Sequence, residues 1–372
     1  MSNKVIRVAQ VIGMAVNGGT ESFWMNYYRH IDRSKVQFDF LVESTSKIIN
    51  KEEIESMGGR VIIIPSYKNP IKYVKTLTRF FKENKYDIVH SNMNALSVFT
   101  LKAAKKAGIK IRIAHSHATT SKKEVLRNIA KQILKKFSKK YATHYFAVSD
   151  VAARWLFGNK TVDNGKVYFI NSFDVSKYLF DKIARQKLRE KLNIKDDEIV
   201  IGNIGRMVQT KNQEFVIKLF AELSKCHPNY KLIFGGEGPL KEELANSSKK
   251  YHVDEKVIFY GADENIAKLY SALDLYIFPS LYEGLGLTLL EAQASGLPCL
   301  ASTGVSQETK ILDEVRYLDL KEDLSIWIKN IEDLLNIDVN REQCGDKCMA
   351  SSFAIESSAK ELMKIYFDLL SE

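Results

Sequence analysis

Two doubly wound α/β domains in one chain are the architecture this sequence predicts, and three observations carry the prediction. Short runs rich in Val, Ile and Phe alternate with longer segments of helical period, as in a parallel sheet covered by helices on both faces. The alternation loosens once, over 172–197, where the chain turns polar and charged, and then restarts. At 372 residues the chain also exceeds the size at which one hydrophobic core keeps growing.

Taken in order, the apolar runs at 5–12, 38–42, 61–64, 88–90, 111–115, 145–148 and 167–170 read as strands, because a strand buried on both faces is apolar at every position. Segments 21–30 and 71–84 read as helices between them. The stretch 172–197 reads as a linker with a short helix. Strands then follow at 199–204, 231–234, 257–260, 275–278 and 298–301, with helices near 213–226, 240–251, 266–272 and 286–295. The segment 354–370 is helical in pattern and long enough to pack against either domain. The domains are accordingly drawn at 1–175 and 176–353. An open parallel sheet binds ligands beyond the carboxyl ends of its strands, so each domain offers a crevice, and two facing crevices could hold a ligand between them.

Hydrophobic residues make up 45% and charged residues 27%, a globular balance without low-complexity tracts. Charge is uneven: residues 1–180 hold 31 Lys+Arg against 13 Asp+Glu, a net of +18, whereas 181–372 hold 24 against 32, a net of -8. A basic half attracts phosphates, nucleic acid or acidic headgroups alike. The four cysteines, Cys226, Cys299, Cys344 and Cys348, are too scattered for a disulfide framework, and the last two lack a second pair to complete a tetrahedral metal site. No signal-peptide run opens the sequence and no apolar stretch approaches the roughly 20 residues that span a bilayer, so the cytoplasm is the expected compartment.

The chemistry concentrates at strand-to-helix turns. In Pro279–Pro298 a strand end, a turn holding Glu283, Gly284 and Leu285, and a helix opening near Gly286 and running on through Leu287 aim amide groups at whatever sits beyond the strands, an arrangement that favours an anion. Glu283 and Glu291 lie eight residues apart, one on the turn and one on the helix, which suits one carboxylate for sugar hydroxyls and another for ribose hydroxyls. The bland alternative is a dipole-complementing Glu283 and a solvated Glu291. Arg206 and Lys211 bracket the first turn of the second domain and could close on a diphosphate, Arg as a planar fork and Lys as a compact charge. Taken singly they would be a solvated surface pair. Gly18 and Gly19, in Asn17-Gly-Gly-Thr-Glu21, let backbone approach a phosphate or simply form a capped turn. Gly238, in Gly235-Gly-Glu-Gly-Pro239, is a further candidate donor contact. Neither stretch is a G-x-G-x-x-G, which disfavours a nicotinamide enzyme.

His115 and His117 follow the strand at 111–115, where a histidine can touch a ligand hydroxyl; their alternative is to tidy a loop. Asp-x-Asp is absent from the sequence, so Arg206, Lys211 and helix-end amides, rather than a metal ion, are expected to neutralise a diphosphate. The segment from Lys122 to Lys140 carries eight basic residues and one acidic, with Val125, Leu126, Ile129, Ile133 and Phe137 at helical spacing. It reads equally as a cationic amphipathic helix for an anionic membrane surface, which would make the protein peripheral on the inner face of the cell membrane, and as a domain helix with solvated lysines.

Together these residues resemble the retaining glycosyltransferases of family 4, group 1, most of all those of exopolysaccharide and capsule assembly. Glu283 and Glu291 match the E-x7-E pair, Arg206 and Lys211 the G-R-x4-K element, Gly18-Gly19-Thr20-Glu21 the amino-terminal glycine loop, and Glu308 the acidic residue after the last core strand. The resemblance implies a GT-B fold, two Rossmann-like domains facing across a cleft, with the carboxy-terminal helix, about 354–372, crossing back to the first. It implies a UDP- or GDP-sugar donor, no cofactor, and a glycan or lipid-linked acceptor. Arg206 and Lys211 would hold the diphosphate, Glu291 the ribose, Glu283 the donor sugar, and Gly19 the phosphate. His115, ahead of His117, would contact the sugar near the reacting carbon. Where relatives often carry Asn-Gly-Ile-Asp this chain has Asn171-Ser-Phe-Asp174, and the stretch after Glu308 lacks the usual glycines.

The expected mechanism is front-face substitution with retention, the departing phosphate accepting the acceptor's proton. One rival is a nucleotide-sugar epimerase, which needs no acceptor. A second, from outside the enzymes, is a nucleic-acid or anionic-surface binding protein, which the acidic Glu283, Glu291 and Glu308 disfavour because they would repel phosphate backbones. A third is an inactive relative that scaffolds other enzymes.

Overall fold

The computed structural model describes residues 5–13, 19–44, 46, 50–117, 133–262 and 265–372. The chain divides into two compact units, 1–172 with 355–372, and 173–354. Gly18 and most of the Lys122–Lys140 segment lie outside the described residues.

Unit 1 is built on a seven-stranded parallel sheet of β1 (Ile6–Gly13), β2 (Val36–Glu43), β3 (Arg60–Ile64), β4 (Ile88–Ser91), β5 (Ile111–Ser116), β6 (His144–Ala147) and β7 (Val167–Phe169), in the order β3-β2-β1-β4-β5-β6-β7. Strand order reverses beside β1, the point at which the crossovers leave a crevice at the carboxyl ends. β2 is buried at every position, which explains its largely apolar central run; Asp39 is tolerated there because Arg7, Arg60 and Tyr86 all donate to its carboxylate. The helix Ile355–Ser371 belongs to this unit. Its Ile355, Leu362, Met363 and Tyr366 join Trp24, Tyr27 and Phe38 in one apolar cluster, so the last helix closes one face of the first sheet.

Unit 2 carries a six-stranded parallel sheet of β8 (Ile199–Ile204), β9 (Tyr230–Gly235), β10 (Val257–Gly261), β11 (Leu275–Phe278), β12 (Cys299–Ser302) and β13 (Val315–Leu318), in the order β10-β9-β8-β11-β12-β13. Here the reversal falls between β8 and β11, and their following turns carry Arg206, Lys211 and Glu283. β13 is a strand the apolar pattern does not announce. It lies at the sheet edge, only partly buried, so Arg316 and Tyr317 can sit in it.

The stretch 172–197 is no loose linker. A 3-10 turn, Val175–Tyr178, and a helix, Lys182–Lys191, pack into unit 2. Arg189 is buried there and donates to the carbonyls of Ala272, Lys195 and Glu198 while pairing with Asp274. Polar composition misleads because the buried charge is fully hydrogen-bonded.

Candidate active site

In unit 2 the two turns beyond β8 and β11 are stitched together by backbone. Leu281 N–H donates to the Thr210 carbonyl at 2.8 Å and Asn212 Nδ2 to the Pro279 carbonyl at 3.1 Å. Lys211 ends the 3-10 turn Gln209–Lys211, and its ammonium lies 2.7 Å from a Glu283 carboxylate oxygen and 4.7 Å from the Phe278 ring centroid. Both charged side chains are largely withdrawn from solvent, at 18% and 15% exposure, where their attraction is less screened than on the surface. Arg206 is exposed, and no carboxylate among the described residues pairs with it. Of the two cations, one is thus held by Glu283 and the other is free to meet an anion.

The helix Leu287–Ala294 opens with Gly286 at φ 88°, a left-handed conformation that spares glycine the steric cost other residues incur. A Cβ there would also crowd Phe278 and Val305. No side chain caps this helix, so its first amides, beginning at Leu287 after Gly284, Leu285 and Gly286, remain available to an acceptor. On the same helix Glu291 is half-buried. Tyr270 Oη donates to Glu291 Oε2 at 2.6 Å, and the Tyr178 hydroxyl lies beside the same carboxylate and favours its charged form. Burial raises the Glu291 pKa, against which these two hydroxyls and the Lys211 charge act to keep the carboxylate ionised.

Gly238 has a different immediate neighbour from a ligand. A Cβ on it would lie 2.3 Å from the Met207 carbonyl oxygen, and Met207 N–H donates to the Glu237 carbonyl at 3.0 Å. Its smallness lets the Gly236–Gly238 turn lie directly on the backbone that carries Arg206. Glu308 is exposed on the 3-10 turn Gln307–Thr309.

In unit 1, His115 is fully buried near the end of β5, with Nδ1 3.1 Å from His90 Nε2, beside Trp24 and Phe146. His117, just beyond the strand, is part-exposed and packs its ring 3.9 Å from that of His115. Burial pushes all three imidazoles down, His117 to about 3, so each is neutral at pH 7. Placement therefore favours His117 over His115 for meeting a ligand. Gly19 is the first residue of the helix Gly19–His30. Asn171 donates from Nδ2 to the Val148 carbonyl at 3.0 Å.

Sequence reading reached Arg206, Lys211, Glu283 and Glu291 but missed Tyr178 and Tyr270, which hold Glu291 from 113 and 21 residues away. No local pattern marks them, because each is an ordinary aromatic until the packing of the turn Val175–Tyr178 and of the helix Ile266–Ala272 brings it to Glu291. Among the described residues no three His, Cys, Asp or Glu side chains are grouped to hold a metal ion. No described helix is long and apolar enough to cross a membrane.

Comparison with known proteins meets this arrangement from outside. A family model described as Glycosyl transferases group 1 matches residues 184–347, and one described as Glycosyltransferase Family 4 matches 17–173. EpsF of Bacillus subtilis (strain 168), which carries a glycosyltransferase name, is 33% identical over 338 residues, covering 89% of this chain and 88% of its own. The capsular polysaccharide biosynthesis glycosyltransferase CapH of Staphylococcus aureus is 23% identical over 375 residues, covering 97% and 99%. Among solved structures, Anabaena Alr3699/HepE in complex with UDP superposes with a TM-score of 0.77 at 17% identity, covering 98% of this chain and all of that one. The two parallel sheets share the fold of that GT-B neighbour.

Proposed function

We propose, for a chain that belongs to the group 1, family 4 glycosyltransferases, that it transfers a sugar from a UDP-sugar to a hydroxyl of a glycan or lipid-linked acceptor, with retention, in surface polysaccharide assembly. UDP is favoured over GDP by the UDP complex of the structural neighbour, and the polysaccharide setting by the name of CapH. The observation that carries the reading is the charged cluster of unit 2, in which Lys211, Glu283 and Glu291 converge beyond the strand ends next to an uncapped helix start.

In this reading Glu291, held by Tyr178 and Tyr270, accepts hydrogen bonds from the ribose diol. Arg206 and the amides at Leu287 take the diphosphate. Lys211 exchanges its bond to Glu283 for a phosphate oxygen, which frees the Glu283 carboxylate to turn to the hydroxyls of the donor sugar. Gly238 keeps the Arg206 turn in place, and Gly19, Asn171 and Glu308 are the remaining candidate contacts. Positive charge grows on the anomeric carbon as its bond to the phosphate oxygen breaks. The departing diphosphate takes the acceptor's proton on the same face while Arg206 and Lys211 absorb its charge. No cofactor enters this scheme, and the cations of the chain do the work a metal ion could share.

A peripheral position on the membrane belongs to the same proposal. Within the described part of the Lys122–Lys140 segment, Ile133 and Phe137 are 54% and 45% exposed among lysines, the combination that lies on anionic lipid. Pelleting with acidic vesicles at low salt and release at high salt are the expected results; equal binding to neutral vesicles would rule the lysines out.

The donor reading is tested by titrating UDP and GDP, with and without sugars, against thermal unfolding, since a ligand at a hundred times its Kd adds about 2.7 kcal/mol of apparent stability. Arg206→Ala is expected to slow transfer by about 10²-fold or more. Undiminished transfer by that variant would refute the assignment, and conversion of the donor without any acceptor would make the protein an epimerase.

A further inference from the structure

Six side chains from four separate stretches of the sequence form one run of hydrogen bonds inside unit 1. His117 Nε2 lies 2.9 Å from Asn92 Oδ1, and Asn92 Nδ2 donates to Gln10 Oε1 at 3.1 Å. Gln10 Nε2 donates to Tyr366 Oη at 3.1 Å, Tyr366 Oη lies 2.8 Å from His90 Nδ1, and His90 Nε2 lies 3.1 Å from His115 Nδ1. The two ends meet again where the His115 and His117 rings lie against one another, tilted by 34°.

Such a run has two polarities. Reversing every donor and acceptor keeps all the bonds and gives the three histidines their opposite tautomers. One backbone group breaks the tie. Asn92 Nδ2 also lies 3.4 Å from the carbonyl oxygen of His90, which can only accept. Turning the amide over would set oxygen against oxygen. With Asn92 so fixed, Gln10 offers its oxygen to Asn92 and its nitrogen to Tyr366. The Tyr366 proton then goes to His90 Nδ1, leaving His90 Nε2 to donate to His115. On the other side Asn92 Oδ1 accepts the Nε2 proton of His117. His117 Nδ1 is left as a bare lone pair, with no hydrogen-bond partner among the described residues.

We infer that Asn92 is a positioning residue that holds His117 as the neutral Nε2–H tautomer, while Gln10 and Tyr366 carry the same polarity to His90 and His115, so that the His117 Nδ1 accepts a hydrogen bond from a neutral sugar hydroxyl rather than binding an anion. The inference rests on the proposed transfer reaction only for the word sugar. The titratable groups around His117 are His90 and His115 from neighbouring strands and Tyr366 from the carboxy-terminal helix, while the helix Gly19–His30 lays the Phe23 ring edge-on, 5.3 Å away. Burial, with no charged side chain contributing among the described residues, keeps the ring neutral.

Nitrogen NMR of the full chain labelled at histidine, recorded without donor or acceptor, tests the ring independently of the reaction. His117 is expected to show a protonated Nε2 and an unprotonated Nδ1, unchanged down to pH 5. A proton on Nδ1, or titration near the ordinary value, overturns the inference. Asn92→Asp puts an anion on the same N–H and is expected to raise the His117 pKa by at least about one unit, moving the acid limb of the transfer rate upward in pH by the same amount. Tyr366→Phe, which deletes one hydroxyl from a buried ring, is expected to leave His90 and His115 as mixed tautomers. Spectra identical to the parent's in both variants would show that these residues position nothing.

Discussion

A single hydroxyl tests how Glu291 is kept ionised. Tyr270 is fully buried and donates to a carboxylate that burial already pushes toward protonation. Tyr270→Phe removes that donor, so the Glu291 pKa rises further and less of it is charged at neutral pH. A hydrogen bond to a charged group contributes about 1.5–3 kcal/mol, so the donor KM is expected to rise about tenfold or more while kcat stays within about twofold. The loss should be larger at pH 6 than at pH 8, and steady-state kinetics at the two values decide it. Equal KM for variant and parent at both would remove Tyr270 from the site. The Lys211–Glu283 pair makes a complementary point, because each partner is already engaged and donor binding must exchange one bond for another rather than fill an open charge.

Turns and helices, rather than isolated residues, place these groups. Gly238→Ala would drive a methyl group into the Met207 carbonyl, prying the Gly236–Gly238 turn off the turn that bears Arg206. A cost of about 1–3 kcal/mol and weaker UDP binding are expected together, read from urea midpoints and titration. An unaltered midpoint would show that the turn gives way freely. Leu362→Ala on the last helix should cost unit 1 about 2–5 kcal/mol, because Leu362 is wholly enclosed by the first sheet's cluster. Helices such as Gln213–Cys226 and Ile266–Ala272 were legible in the sequence to the residue, since their apolar stripes repeat at helical spacing and end at turns. β13 was not, because an edge strand buries too little to read as apolar. Nor was the packing of 172–197, whose Arg189 announces solvent and finds carbonyls. The charged part of the site was legible because its turns are contiguous in sequence; the tyrosines and the histidine ring are assembled only by packing.

At the scale of the whole molecule, three neutral imidazoles in unit 1 set an acid limit. Their folded pKa values lie below the ordinary histidine value near 6.5, that of His117 at about 3, so as the pH falls below 6.5 the unfolded chain binds more protons than the folded one. Stability therefore rises with pH across that window: it is complete above about 6.5 and drains away as the solution is acidified. The urea transition of unit 1, followed through buried Trp24, is expected to move to lower urea at each step from pH 6.5 to 4.5, and a flat profile would contradict the neutral assignment. The order of the chain adds a consequence in time. Unit 2 is one continuous stretch, while unit 1 needs the helix Ile355–Ser371, separated from the rest of it by 173–354. At roughly 5–20 residues per second, a ribosome takes on the order of 10–35 s to make the intervening stretch. Throughout that wait the nascent first sheet lacks part of its cover, with Tyr27 and Phe38 still without the contacts of Ser358 and Tyr366, so the later-made unit can finish folding first and the earlier one is the natural client for chaperones.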